Sequence, residues 1–173
     1  ISATTDVAPA MFGTLTMAPG ATLTTTGSAI AFSQATLNGT ATFNTLTDTT
    51  TGRILAGSPI TSLTKTGGAR LIVTDVSGAS GLTGGSTVNI NAGTLVAAAN
   101  AAGTQDTMGA ALLNLNGGTF EAQGVGGSVA NFSANNVLVS NNSTVNTTAP
   151  SSTFGTLTIN NGRTLTTNGN PVS

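Results

Sequence analysis

Three segments of this chain follow one plan and recur at a constant spacing of about 25 residues: VNINAGTL from Val88 to Leu95, LNLNGGTF from Leu113 to Phe120, and LVSNNSTV from Leu138 to Val145. Each reads as an alternating strand, a turn of Gly or Asn, then Thr followed by a large apolar residue. Alternation puts Val88, Ile90 and Leu95 on one face and Asn89 and Asn91 on the other. A single unit of this kind cannot bury its apolar face. Stacking successive units buries it, because each strand pairs with its copy one turn further on.

A second repeat joins the two ends. FGTLTMAPGATLTTTG runs from Phe12 to Gly27, and FGTLTINNGRTLTTNG from Phe154 to Gly169. Ala8-Pro9 and Ala149-Pro150 precede the two copies. Thr36 to Phe43 is a shorter version of the plan, and Arg70 to Thr74 gives a further strand. The expectation is an all-β, right-handed parallel β-helix (β-solenoid) with coils of roughly 20–25 residues, about seven of them, and a rod about 35 Å long at the ordinary strand spacing. Asn-Gly and Gly-Gly between alternating runs are also hairpin signals. The constant spacing favours coils, because equal coil length keeps strands in register. Val96 to Ala102 is Ala-rich; a short helix would suit it, and a loop leaving one coil suits it better.

Composition fits a thin, regular core. Charged residues are 5% and aromatics 3% of the 173 residues, and mean hydropathy is +0.24. Such a chain collapses instead of staying solvated, yet has few bulky residues with which to fill a globule. Thr and Val, branched at Cβ, suit strands. The whole chain, 1–173, reads as one solenoid domain, or as a segment of a longer repeat protein. It starts at Ile1 and not at Met, as a mature or excised piece would.

The residues Leu63 to Val96, LTKTGGARLIVTDVSGASGLTGGSTVNINAGTLV, resemble the autotransporter-associated β-strand repeat, also called the passenger-associated transport repeat. Leu63, Lys65, Gly67, Leu71, Val73, Gly84, Thr87, Val88, Ile90, Ala92, Gly93, Thr94 and Leu95 match its pattern. Its Gly-x-Gly is altered here to Gly67-Gly68, and the usual aromatic before the second half is missing. The resemblance covers about a fifth of the chain. It implies a right-handed parallel β-helix in a secreted or surface-exposed bacterial protein, with a stalk, passenger or adhesin role. The repeat has no catalytic residue to carry over.

Little chemistry is expected. The carboxylates Asp6, Asp48, Asp75, Asp106 and Glu121 are scattered. Only Asp48 and Asp75 stand about one coil apart, and hydrolytic β-helices need clustered acids. With no His and no Cys there is no His-based triad, no thiolate or imidazole metal site and no disulfide. Gly84-Gly85-Ser86 and Gly117-Gly118-Thr119 lack the acidic ligands of calcium repeats. Lys65-Thr66 lacks a phosphate-loop frame. Lys65 and Arg70, flanking Gly67-Gly68, are read as solvating a turn. The site reading is therefore no catalytic, cofactor-binding or metal residue.

Lys65, Arg53, Arg70 and Arg163 form no basic patch for nucleic acid. No run is apolar enough for a membrane span. Asn-x-Ser/Thr sequons stand at Asn38, Asn131, Asn141, Asn142 and Asn146, so glycans are conceivable partners. Thr-x-Thr pairs at Thr14/Thr16, Thr22/Thr24, Thr156/Thr158 and Thr164/Thr166 would bind ice if ranked on one flat face.

The functional expectation is a non-enzymatic, secreted or cell-surface structural unit of a stalk, sheath or self-assembling filament. Solenoids expose unpaired strand edges at their ends, and neither end carries a charged segment or an amphipathic cap helix. The expected partner is another copy stacked end to end, or the continuation of a longer chain. An adhesin or ice-binding module presenting Thr/Asn-rich faces is the alternative.

Overall fold

The computed structural model describes residues 8–58, 61–74, 81–100 and 107–173. In chain order the first strands are β1 (Ala10–Met17), β2 (Ala21–Thr25), β3 (Ile30–Leu37), β4 (Ala41–Thr45), β5 (Thr49–Ala56), β6 (Ser62–Thr66), β7 (Arg70–Val73), β8 (Thr87–Ile90) and β9 (Thr94–Ala99). There follow β10 (Leu112–Asn116), β11 (Thr119–Gly124), β12 (Ala130–Phe132), β13 (Val137–Asn141), β14 (Ser143–Thr147), β15 (Ser152–Phe154), β16 (Leu157–Ile159) and β17 (Leu165–Gly169).

Every pairing among them is parallel, so the chain is a β-solenoid and the hairpin alternative is excluded for the described strands. One wall is an eight-stranded sheet ordered β1-β3-β5-β7-β9-β11-β14-β17. The facing wall has seven strands, ordered β2-β4-β6-β8-β10-β13-β16. A third wall, β12 with β15, closes the later coils, and Val172 adds one more bridge beside Ser152.

Coil length varies along the rod. Near the start Asn44 stacks on Thr24, a separation of 20 in the sequence. In the middle Asn114 stacks on Asn89, a separation of 25. Near the end Thr156 bonds to Asn136, a separation of 20 again, just before Val137 pairs with Leu157. The chain is thus narrow at both ends and wide in the middle. The extra chain lies between the eight-stranded and the seven-stranded wall. There the stretch from Leu95 to Leu113 is half as long again as its counterparts, Ala10 to Ala21 in the first coil and Val145 to Leu157 in the last.

Side chains form columns down the interior, as parallel in-register stacking requires. One column of the seven-stranded wall is Ala21, Ala41, Leu63, Val88, Leu113, Val137 and Leu157. Its members from Ala41 to Val137 are buried. The wide coils are filled by aromatics. Phe120 meets Phe132 and Phe154 edge-on with ring centroids 5.4 and 5.8 Å away, and Phe132 stacks on Phe154 at 5.5 Å.

The structure departs from the sequence reading at three places. First, the Ala-rich run is neither helix nor loop as far as Ala99. It is β9, because Ala97 and Ala99 point into the core and the backbone pairs with β7 and β11 on either side. Second, Leu113 stacks on Val137 and not on Leu138; an irregularity after Leu115 then aligns Asn116 with Asn141 and restores the spacing of the sequence repeat. Val137 and Val139 are therefore the buried pair, and Leu138 is half-exposed. Third, the two terminal repeats lie half a coil out of phase. Leu15-Thr16-Met17 belongs to the eight-stranded wall, and its counterpart Leu157-Thr158-Ile159 to the seven-stranded wall.

Candidate functional site

Three features could act on something outside the chain: the outer faces, an interior lysine with its corner, and the two open ends.

The outer face of the seven-stranded wall is an uncharged array. Strand alternation turns Thr22 and Thr24, Thr42 and Asn44, Thr64 and Thr66, then Asn89 and Asn114 outward, with neighbouring residues aligned coil by coil. Asn114 donates to the Asn89 side chain at 2.8 Å, Asn89 donates to Ser62 Oγ at 3.3 Å, and Ser140 donates to Asn114 at 2.6 Å. A second ladder runs from Thr66 to Asn44 and from Asn44 to Thr24. Stacked amides and hydroxyls satisfy one another along the rod axis without any charge.

Of the Thr-x-Thr pairs singled out in the sequence, Thr22/Thr24 joins this array, and Thr158 lies at its far end beyond Leu138. Thr14 and Thr16 align with Gln34 and Thr36 on the opposite wall, and Thr166 lies on that wall too. The four pairs do not share a face.

Lys65 is not a turn-solvating residue. It is in phase with Leu63, so alternation sends it inward, into the column Leu23, Phe43, Lys65, Ile90, Leu115, Val139 and Ile159. It is 0% exposed. Its ammonium reaches the corner between β6 and β7 and donates to three carbonyl oxygens: Thr66 O at 2.7 Å, Gly67 O at 2.9 Å and Ala92 O at 3.1 Å. All three protons are used, which is what makes an interior charge tolerable. Burial lowers its pKa from 10.5 to about 8, with the Asp48 carboxylate pulling the other way. The corner leaves no room for side chains. A Cβ on Gly93 would come within 2.3 Å of Gly67 O and 2.7 Å of Lys65 Nζ, and both glycines have positive φ.

Arg70 turns outward. Its guanidinium crosses over β9 to pair with Glu121 at 3.0 Å, above the buried Val96, and its backbone N–H donates to Asp48. Asp48 and Glu121 are the described side-chain carboxylates, and each is engaged by Arg70. Asp6, Asp75 and Asp106 lie outside the described residues, and with them the Asp48–Asp75 pairing. Among the described residues no three His, Cys, Asp or Glu side chains gather as metal ligands.

At the ends the interior columns reach solvent. Phe12 on β1 is 54% exposed with Met11 beside it at 71%, and Leu157 and Ile159 on β16 are 50% and 45% exposed. The C-terminal end encloses an open apolar cavity of about 570 Å³ among Val137, Val145, Phe154, Leu157, Leu165 and Val172. Residues 170–173 line it as well. They continue the third wall, with Ser152 N–H bonded to Pro171 O and Phe154 N–H to Ser173 O.

Sequence reasoning found the open ends but missed the lysine cage. The signal was present, since Lys65 stands where the period-2 pattern of SLTKT demands an apolar residue. The molecule belongs to the class of parallel β-solenoids with uncapped described ends. Compared with protein-family models, with curated proteins and with solved structures, the chain finds no match.

Proposed function

We propose that this chain is a non-enzymatic structural unit of the bacterial cell surface or extracellular matrix: a β-solenoid segment of a stalk, sheath or self-assembling filament. The observation that carries the proposal is the exposure of core columns at both ends of a sparsely charged rod. Unpaired parallel edges backed by apolar side chains favour continuation by more solenoid over contact with water. The resemblance of Leu63–Val96 to autotransporter-associated repeats supports the extracellular setting, as does a composition with no Cys and few charges. Electron microscopy of the purified chain tests it. Unbranched fibres with a strand repeat of about 4.8 Å along the axis are expected. A monodisperse monomer at high concentration would count against the filament form.

The second reading, an adhesin or ice-binding module, is supported by the coil-by-coil Thr/Asn array on the seven-stranded wall. Thermal hysteresis separates the two. None is expected from a structural unit, and a freezing-point gap abolished by Thr42→Lys would favour the ice-binding reading.

A further inference from the structure

Resting on the filament reading, we propose the junction itself: a second copy of this chain docks head to tail so that β1 of one copy adds to β17 of the other and continues the eight-stranded wall. In this register Ala10, Met11 and Phe12 pair with Thr167, Asn168 and Gly169, and the facing wall, one strand shorter, is left one strand open beside the junction.

Three observations fix that register. The first is that both walls end on the same columns they began with. The column Phe12, Phe32, Thr51, Val73, Ala97, Ala122, Thr147 and Gly169 is buried from Thr51 to Thr147 and open at either end. The column that contains Leu23 and Ile159 behaves the same way in the facing wall. Stacking copies in register continues the columns of the eight-stranded wall through the junction.

The second is coil size. Strands stay paired only where consecutive coils have similar perimeters. The connection between walls from Ala10 to Ala21 is almost as long as that from Val145 to Leu157, and both are much shorter than that from Leu95 to Leu113. The narrow first coil therefore matches the narrow last coil and not the wide coils of the middle.

The third is shape. Phe12 already stacks on Phe32, with centroids 5.6 Å apart, and stands 54% exposed. Its partner in this register is Gly169, which has no side chain and lines the cavity at the other end. A ring facing a glycine beside an apolar void of about 570 Å³ is a knob facing a hole. Leu157 and Ile159 border the one-strand opening that the shorter wall leaves. The β1–β17 pairing keeps the parallel sense of the internal sheets, which the rod axis requires.

The chain has no cysteine, so the register can be read by crosslinking. Met11 and Asn168 face outward on the two edges and fall opposite each other in the junction, within the Cα separation a disulfide tolerates. In the full chain carrying Met11→Cys and Asn168→Cys, mild oxidation is expected to give a ladder of covalent multimers. Met11→Cys with Thr166→Cys should give less than a tenth of that yield. Phe12→Arg should raise the concentration needed for fibres by about a hundredfold, with thermal unfolding of the monomer little changed.

Fibres that crosslink through residue 166 in preference to 168, or fibres that fail to crosslink at 168, would overturn this register and leave the filament reading standing. Dimers dominated by Met11→Cys alone would show head-to-head contact and overturn the junction. The absence of both fibres and crosslinks would overturn the filament reading, and the junction with it.

Discussion

The middle coils and the end coils are made from the same plan and end in different states. Around β8 to β11 the coils are at their widest, and Val88, Ile90, Leu95, Leu113 and Phe120 are fully buried. At β1 and β16 the coils are narrower, and the equivalent positions face solvent. Composition does not explain the contrast, since Leu157 is the same residue as Leu113 in its column, and Phe12 is larger and more apolar than Ala97 and Ala122 in its own. Neighbours do. In a solenoid each coil is stabilised only by the coils above and below it, so a terminal coil has half the packing of an internal one whatever its sequence.

The comparison can be broken by pairing a middle substitution with an end one. Phe120→Ala empties the aromatic cluster it shares with Phe132 and Phe154, and a loss of about 3–5 kcal/mol is expected. Phe12→Ala in dilute monomer should lose less than about 1 kcal/mol, because the ring is already half in water. Urea unfolding of both variants measures the difference; equal losses would mean that the ends are as well packed as the middle.

Next in size is the lysine cage. The folded chain releases the Lys65 proton near pH 8, and the unfolded chain holds it to 10.5. Between those values unfolding takes up a proton, so stability rises with pH across that window, by about 3 kcal/mol in all. Below pH 8 both states are charged and the slope vanishes. Lys65→Met should abolish the rise, which chemical denaturation at pH 7.5, 9 and 10.5 would show.

A smaller effect belongs to the outer ladder. Asn114→Ala removes the partner of both Asn89 and Ser140, and about 1 kcal/mol is expected. The corresponding end pair, Asn168 to Asn146, is exposed, and Asn168→Ala should cost a few tenths of a kcal/mol at most. In the same small range is Arg70–Glu121. The arginine side chain is 41% exposed, so Glu121→Gln should lose under about 1 kcal/mol, less still in high salt. Salt titration of the melting temperature checks it.

The solenoid was legible because its signal is redundant: three copies at one spacing, each with a glycine or asparagine corner. What escaped were local decisions that redundancy hides. Leu138 and Val137 are both good inward residues, and the pairing of Leu113 and Leu115 with Val137 and Val139, one residue short of the repeat spacing, selects Val137. Val96–Ala99 has helix-favouring alanines, but a strand slot between β7 and β11 outweighs propensity. Lys65 was assigned by its charge to the surface, although its phase within SLTKT places it inside. The terminal repeat was legible as similarity, but its half-coil offset depends on how much chain separates the copies, which no motif records.

The direction of the backbone hydrogen bonds has a mechanical consequence. In a parallel solenoid they run along the rod, from one coil to the next. Tension along the axis is therefore shared by all the bonds within a layer and passes from layer to layer in series, so the rod is as strong as its thinnest layer. Among the described residues that layer lies between β5 and β6 on one side and β7 and β8 on the other, where three residues pair in one wall and four in the other, against seven and five between the first two coils. A thread built from such units would yield first inside each rod, at the step onto β7 and β8, and not at the long-stranded coils where it begins.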